Sequence, residues 1–219
     1  MIRALVFDFD GLILETETPA HQSWAEIYRE HGHELPMDLW HGYIGSDTGF
    51  DPAGHLAALV GEGLDRPATQ ARRDARKTEL IAALDVMVGV RAYVADAKRL
   101  GLRLAVASSS SRAWVLGHLH RLDLAAQWDA VRTRDDVART KPAPDLYLSA
   151  VAALGVAPVE AVAFEDSANG IAAAKDAGLL CVAVPNALTA GMDLSRADLR
   201  LTSLAETPLE RVLAVLSAL

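Results

Sequence analysis

The chain has 219 residues, 51% hydrophobic and 23% charged, which suits one large domain or a medium domain carrying an insert and excludes a disordered chain. Its formal charge of −8 opposes non-specific nucleic-acid binding, whose affinity comes from lysines and arginines neutralising phosphates. No apolar run approaches the ~18 residues needed to span a bilayer and the N-terminus lacks the marks of a secretory signal, so a cytoplasmic protein with no membrane partner is expected.

In chain order, the first apolar run of strand length is ALVF, residues 4 to 7. Next comes a stretch of about 95 residues without a strand pattern, where a βαβ crossover needs about 30. Within it Trp24, Ile27, Tyr28 and His31 follow helical spacing, and an apolar-plus-charged segment runs from about 53 to 84. Residues 15 to 88 are therefore read as an inserted helical cap, with residues 1 to 14 and 89 to 219 forming the core. The basic run QARRDARK, residues 70 to 77, reads as a solvated helix face; the alternative is a positive rim that attracts an anionic substrate.

Gly89 marks the start of the helix returning to the core, with Tyr93, Val94, Ala97 and Leu100 on one face. Strand runs follow at LRLAVA (102 to 107), near residue 131, at AVAF (161 to 164), at LLCVAV (179 to 184) and near residue 200. Between and after them, Val115, Leu119 and Leu122, then Leu209, Val212, Leu213 and Leu216, share helical faces. Runs apolar on both faces and separated by helices predict a doubly wound α/β core with a parallel sheet. The single cysteine, Cys181, sits in a strand run, where a small buried side chain is expected, and it leaves no internal disulfide.

In such a sheet, ligands bind beyond the carboxyl ends of the strands. There the sequence places Asp8 and Asp10 after the first run, Ser108 to Ser111 after the second, and Glu165 and Asp166 after AVAF. Aspartate and serine are also ordinary turn and N-cap residues, so each alone has a structural reading. Together, three carboxylates at one sheet edge would repel one another and imply a cation, and an all-oxygen donor set suits Mg²⁺. Lys141, in ARTKPAPD, is either a surface lysine before a proline turn or the positive charge that such a site needs.

These strings resemble the haloacid dehalogenase superfamily, in its phosphatase and beta-phosphoglucomutase-like branch with a helical cap. VFDFDGLILETE is similar to the first family motif, ASSSS to the second, TKPAPDLY to the third and FEDSANGIAAAKDAG to the fourth. The resemblance implies a Rossmann-like core and phosphoryl transfer from a small phosphorylated substrate. It casts Asp8 as the nucleophile, Asp10 as acid and base, and Ser108, Ser109 and Lys141 as the phosphate-binding residues. It also assigns Mg²⁺ to Asp8, the Asp10 carbonyl and Asp166, with Glu165 bound directly or one group removed. The chemistry agrees, because an ionised carboxylate splits one difficult substitution into two easier ones, and a second carboxylate can protonate the leaving oxygen and then activate water. With Mg²⁺, Lys141 and a phosphate dianion in place the site still carries about −2, so the lysine matters.

Arg112, at the start of the helix after the serines, is a candidate substrate contact or an ordinary N-terminal surface arginine. His31, His33, His118 and His120 stand in pairs two apart, face different ways on helices, and are read as solvent-facing. Three alternatives stay open: a dehalogenase, disfavoured by Asp10; a non-catalytic phospho-metabolite binding protein; and a mutase. In the mutases, the resemblance places a cap histidine four residues before the tryptophan matching Trp24, where this chain has Ala20, with His21 adjacent. The phosphate-gripping arginine is also missing from YIGSDTGFD, residues 43 to 51, where Asp47 and Asp51 stand instead. A hydrolase acting on a sugar phosphate is expected, as a monomer with a homodimer as the alternative.

Overall fold

The computed structural model describes residues 1–44, 50–61 and 63–218. Its described elements are β1 (Ala4–Phe7), α1 (Glu17–Glu30), α2 (Met37–Tyr43), α3 (Pro52–Val60), α4 (Arg66–Ala82), α5 (Val90–Arg99) and β2 (Arg103–Ala107). They continue with α6 (Arg112–Arg121), β3 (Ala130–Arg132), α7 (Asp145–Leu154), β4 (Ala161–Glu165), α8 (Ala168–Asp176), β5 (Leu180–Ala183), β6 (Leu199–Arg200) and α9 (Leu209–Leu216).

The six strands form one parallel sheet in the order β3-β2-β1-β4-β5-β6. β1 is central and buried along its length. Its pleat divides the core. Leu5 and Phe7 pack with Val94 of α5, Val115 of α6 and Val212 of α9, whereas Ala4 and Val6 pack with Leu146 of α7 and Ile171 of α8. Helices on both faces explain why the strand runs are apolar throughout. Because β1 lies between β2 and β4, the order reverses at its carboxyl end, and the crevice opened there is where Asp8 and Asp10 emerge.

The helices between β1 and α5 carry a separate apolar cluster built on Trp24, Ile27 and Tyr28 of α1, Trp40 of α2 and Leu56 of α3. The chain enters and leaves this segment side by side, with Leu14 bridging Val86 and the Met87 N–H donating to the Ile13 carbonyl at 2.9 Å. One expected core-facing residue is exposed. Leu100, 40% exposed, caps α5, where the backbone leaves the helix and the 3.6-residue spacing no longer sets direction, whereas His31, which caps the C-terminus of α1, is exposed as expected.

Candidate active site

The ends of β1 and β4 bring Asp8, Glu165 and Asp166 together, with one oxygen from each within 4.8 Å of the others and all three side chains buried. Burial is the main reason that the Asp8 and Asp166 carboxyls are held well above the usual carboxylate range. The Glu165 charge adds to both, Asp10 adds for Asp8 and Asp8 adds for Asp166, and Lys141 opposes the shift. Lys141 is 1% exposed; its ammonium contacts Asp8 and lies 2.6 Å from Glu165 Oε1. Burial acts to lower its pKa, but Asp8 and Glu165 outweigh this and hold it above the ordinary lysine value, so it stays charged.

Glu165 has little left to offer. Its Oε1 also accepts from the Tyr147 hydroxyl at 2.6 Å, and Oε2 accepts from the Asp166 N–H (3.1 Å), the Ser167 N–H (3.3 Å) and the Ser167 hydroxyl (3.2 Å). The first turn of α8 passes so close that a Cβ on Gly170 would stand 1.9 Å from Oε1. Asp166 Oδ2 accepts from the Asn186 amide at 2.7 Å. Gly11 passes beside the same oxygen with φ +84°, and a Cβ there would lie 2.3 Å from it, so this turn requires glycine on two counts. The buried, all-oxygen cluster fits a metal ion, with free oxygen positions on Asp8 and Asp166 and with Glu165 bracing them from behind.

Asp8 and Asp10 both line a cavity of about 270 Å³. Asp10 accepts four hydrogen bonds. Its Oδ1 takes the Thr16 hydroxyl and the Trp114 indole N–H, each at 2.9 Å, and its Oδ2 takes the Ser110 hydroxyl at 2.7 Å and the Ser108 hydroxyl at 3.2 Å. Ser109 lines the cavity as well. Arg112 does not. Its N–H donates to Asp135 at 2.6 Å, its guanidinium contacts Asp136, and it is absent from the cavity wall.

The opposite wall comes from the inserted helices, with Glu17 and Ala20 of α1, Tyr43 of α2, and Arg73 and Lys77 of α4. The basic run is thus two-sided. Arg72 and Arg76 face outward and pair with Glu30 and Glu26, as a solvated face should, but Arg73 is 7% exposed and Lys77 reaches the cavity. Arg73 stacks over Trp24 at 5.7 Å and, among the described residues, pairs only with the exposed Asp74 and leaves its buried Nε without a partner. Glu17, half-buried in this wall, has its carboxyl pushed up to about 7 by loss of solvent and by repulsion from Asp10. Asp51 caps α3 through the Gly54 N–H and pairs with Arg66 at 2.8 Å, so its charge is already matched; Asp47 lies outside the described residues. His21 meets Trp40 edge-on, and His118 packs on Phe9 and Trp114 instead of facing solvent.

Asn186, Tyr147, Thr16 and Trp114 escape sequence reasoning. Arg73 and Lys77 lie in the basic run whose alternative reading is a positive rim, and one signal singles them out: counting back in fours from the buried Ile81 gives Lys77, Arg73 and the buried Thr69, one face of a single helix. Asn186 comes from a loop after β5, and no local pattern points to it.

Comparison with known proteins shows the family and the fold. The sequence model of the haloacid dehalogenase-like hydrolases matches residues 2–178. YhcW of Bacillus subtilis (strain 168), provisionally named a phosphatase, is 45% identical over 97% of each chain. The validoxylamine A 7'-phosphate phosphatase of Streptomyces hygroscopicus subsp. limoneus is 31% identical over 94% of this chain and 96% of its own. Among solved structures, CbbY of Rhodobacter sphaeroides in complex with phosphate superposes with a TM-score of 0.75 at 30% identity, covering 94% of this chain and 96% of that one.

Proposed function

This chain belongs to the haloacid dehalogenase-like hydrolase family, and on that premise we propose that it is a Mg²⁺-dependent phosphatase that hydrolyses a small phosphorylated metabolite, a sugar phosphate, through an aspartyl-phosphate on Asp8. Its relatives are named as phosphatases, and phosphatase action on phosphorylated compounds is the coarse function that the family carries. Residues 15 to 88 are proposed as the cap over the core's catalytic edge.

In the first step an oxygen of the Asp8 carboxylate forms a bond to phosphorus as the bond to the leaving oxygen breaks, and Asp10 passes its proton to that oxygen. In the second step Asp10 takes a proton from water, the water oxygen attacks phosphorus, and the acyl-phosphate bond breaks to restore Asp8. Ser108 and the Ser109 N–H hold phosphoryl oxygens ahead of α6, and Lys141 offsets their charge. Mg²⁺ held by Asp8, Asp166 and the Asp10 carbonyl would supply positive charge to the phosphoryl oxygens. Glu165, saturated by five donors, keeps those ligands and Lys141 in place.

The observation that carries this reading is that Asp8 and Asp10 share one cavity but sit in opposite settings, one against a buried ammonium and carboxylate cluster, the other among four neutral donors. That division suits a nucleophile and a proton carrier. The test is a phosphate-release screen with and without Mg²⁺ over sugar phosphates, nucleotides and phosphorylated acids. Release by the wild type and none by Asp8→Asn is expected; release by Asp8→Asn at a comparable rate contradicts the assignment.

A second reading, transfer between sugar positions as in a mutase, has Arg73 and Lys77 in its favour, because they put cations into the cavity wall where YIGSDTGFD offers none. Hydrolysis is preferred because the small Ala20 lines the cavity where the resemblance expects a histidine, and His21 rests against Trp40.

A further inference from the structure

Trp114 occupies a place that neither the family motifs nor the proposed chemistry assigns. Ser111 caps α6, its hydroxyl accepting the Trp114 N–H at 3.3 Å, and this first turn directs the indole into the catalytic cavity. Two groups from different parts of the chain meet on it. Its Nε1–H donates to Asp10 Oδ1 at 2.9 Å, and Lys77 of α4 places its ammonium 4.4 Å from the ring centroid. His118, one turn further along α6, supports the ring edge-on at 4.3 Å.

We propose that Trp114 is a positioning residue, fixing the Asp10 carboxyl for proton transfer to the leaving oxygen and at the same time seating the inserted helices through Lys77. The proposal rests on the phosphatase reading above. The four donors around Asp10 are not equivalent. Thr16, Ser108 and Ser110 offer hydroxyls, which rotate and can either donate or accept, whereas an indole N–H only donates and is held by its ring. Oδ1 therefore stays an acceptor facing Trp114. Oδ2, among serine hydroxyls able to turn, is the oxygen that carries the proton; its O–H bond breaks as the leaving oxygen takes the proton and the electron pair of the cleaved P–O bond.

The test separates these roles by leaving group. An alkyl phosphate needs its leaving oxygen protonated, but p-nitrophenyl phosphate expels a stable phenolate, and kcat/KM reports only the steps up to that departure. Glucose 6-phosphate, or whichever sugar phosphate the screen turns over fastest, serves as the alkyl ester. Trp114→Phe keeps a ring for Lys77 and removes the N–H; the ratio of alkyl to aryl kcat/KM should fall about 10-fold or more, within the range of general acid catalysis. Lys77→Met should raise KM for both esters and leave the ratio at its wild-type value. An unchanged ratio in Trp114→Phe overturns the proposal while the phosphatase reading stands; a wild type that hydrolyses neither ester overturns both. Should Trp114→Phe fail to fold, 3-benzothienylalanine at position 114, which replaces the N–H by sulfur in a ring of the same shape, gives the same contrast.

Discussion

Lys141 and Glu165 form an ion pair closed to solvent, with Nζ 2.6 Å from Oε1 and side-chain exposures of 1% and 0%. Removing one partner of such a pair strands the other charge, at a cost of about 3–5 kcal/mol. Lys141→Met should therefore lose about that much stability at pH 8 in denaturant titrations, and lose turnover with it. Because Lys141 is held above its ordinary value in the fold, the stability it contributes is complete below about pH 10 and declines only as the pH rises through the higher folded value. A loss under 1 kcal/mol would mean that the cluster does not depend on this cation.

Metal removal should be equally decisive. Protein treated with EDTA should lose phosphate release and regain it with Mg²⁺. The Asp8 and Asp166 carboxyls are held high chiefly by burial and also by the Glu165 charge, so binding the ion should release protons, which calorimetry in buffers of different ionisation enthalpy detects without reference to activity. Full turnover by metal-free protein would remove Mg²⁺ from the account.

Much of this arrangement was legible in the sequence, and the reason is topological. Chemistry placed directly after an apolar strand run has only one place to go in a parallel sheet, so Asp8, Asp10, Ser108, Glu165 and Asp166 could be assigned to one edge before any coordinates. What failed to read depended on rotation about a helix axis. In QARRDARK both Arg72 with Arg76 and Arg73 with Lys77 are basic pairs four apart, and only the packing of α4 against α1 decides which pair faces Trp24 and the cavity. Trp114 was hidden similarly, because the apolar face of α6 reads through Val115, Leu119 and Leu122 while its flank carries the indole. Leu100 misreads because spacing continues past the residue where the helix stops.

Arg73 and Lys77 should act on binding more than on chemistry. Charge-assisted hydrogen bonds contribute about 1.5–3 kcal/mol, so Arg73→Gln or Lys77→Gln should raise KM for a sugar phosphate by roughly 10- to 100-fold. Steady-state kinetics on variants with wild-type circular dichroism checks this. An unchanged KM in both would mean that neither cation contacts the substrate.

Glu17 offers a test in stability. Its carboxyl is pushed up to about 7 in the fold, above the ordinary value of 4.5, so the stability it contributes is fully present below pH 4.5 and is lost as the pH rises through 7. Glu17→Gln removes that loss. The variant and the wild type should be similarly stable at pH 4.5, and the variant should be more stable by about 1–3 kcal/mol at pH 8. A difference that does not vary with pH would show that burial does not hold the carboxyl high.

The central claim is that Asp8 carries the phosphoryl group. Mixing p-nitrophenyl phosphate, whose phenolate departs without a proton from Asp10, and Mg²⁺ with the Asp10→Asn variant, which keeps the nucleophile but lacks the base for the second step, followed by acid quenching, proteolysis and mass spectrometry, reads it directly. The account predicts a phosphate on the peptide containing Asp8, located on that side chain and absent from Asp8→Asn. Phosphate on another residue, or an unmodified peptide from wild-type and variant enzyme while inorganic phosphate is released, would contradict it.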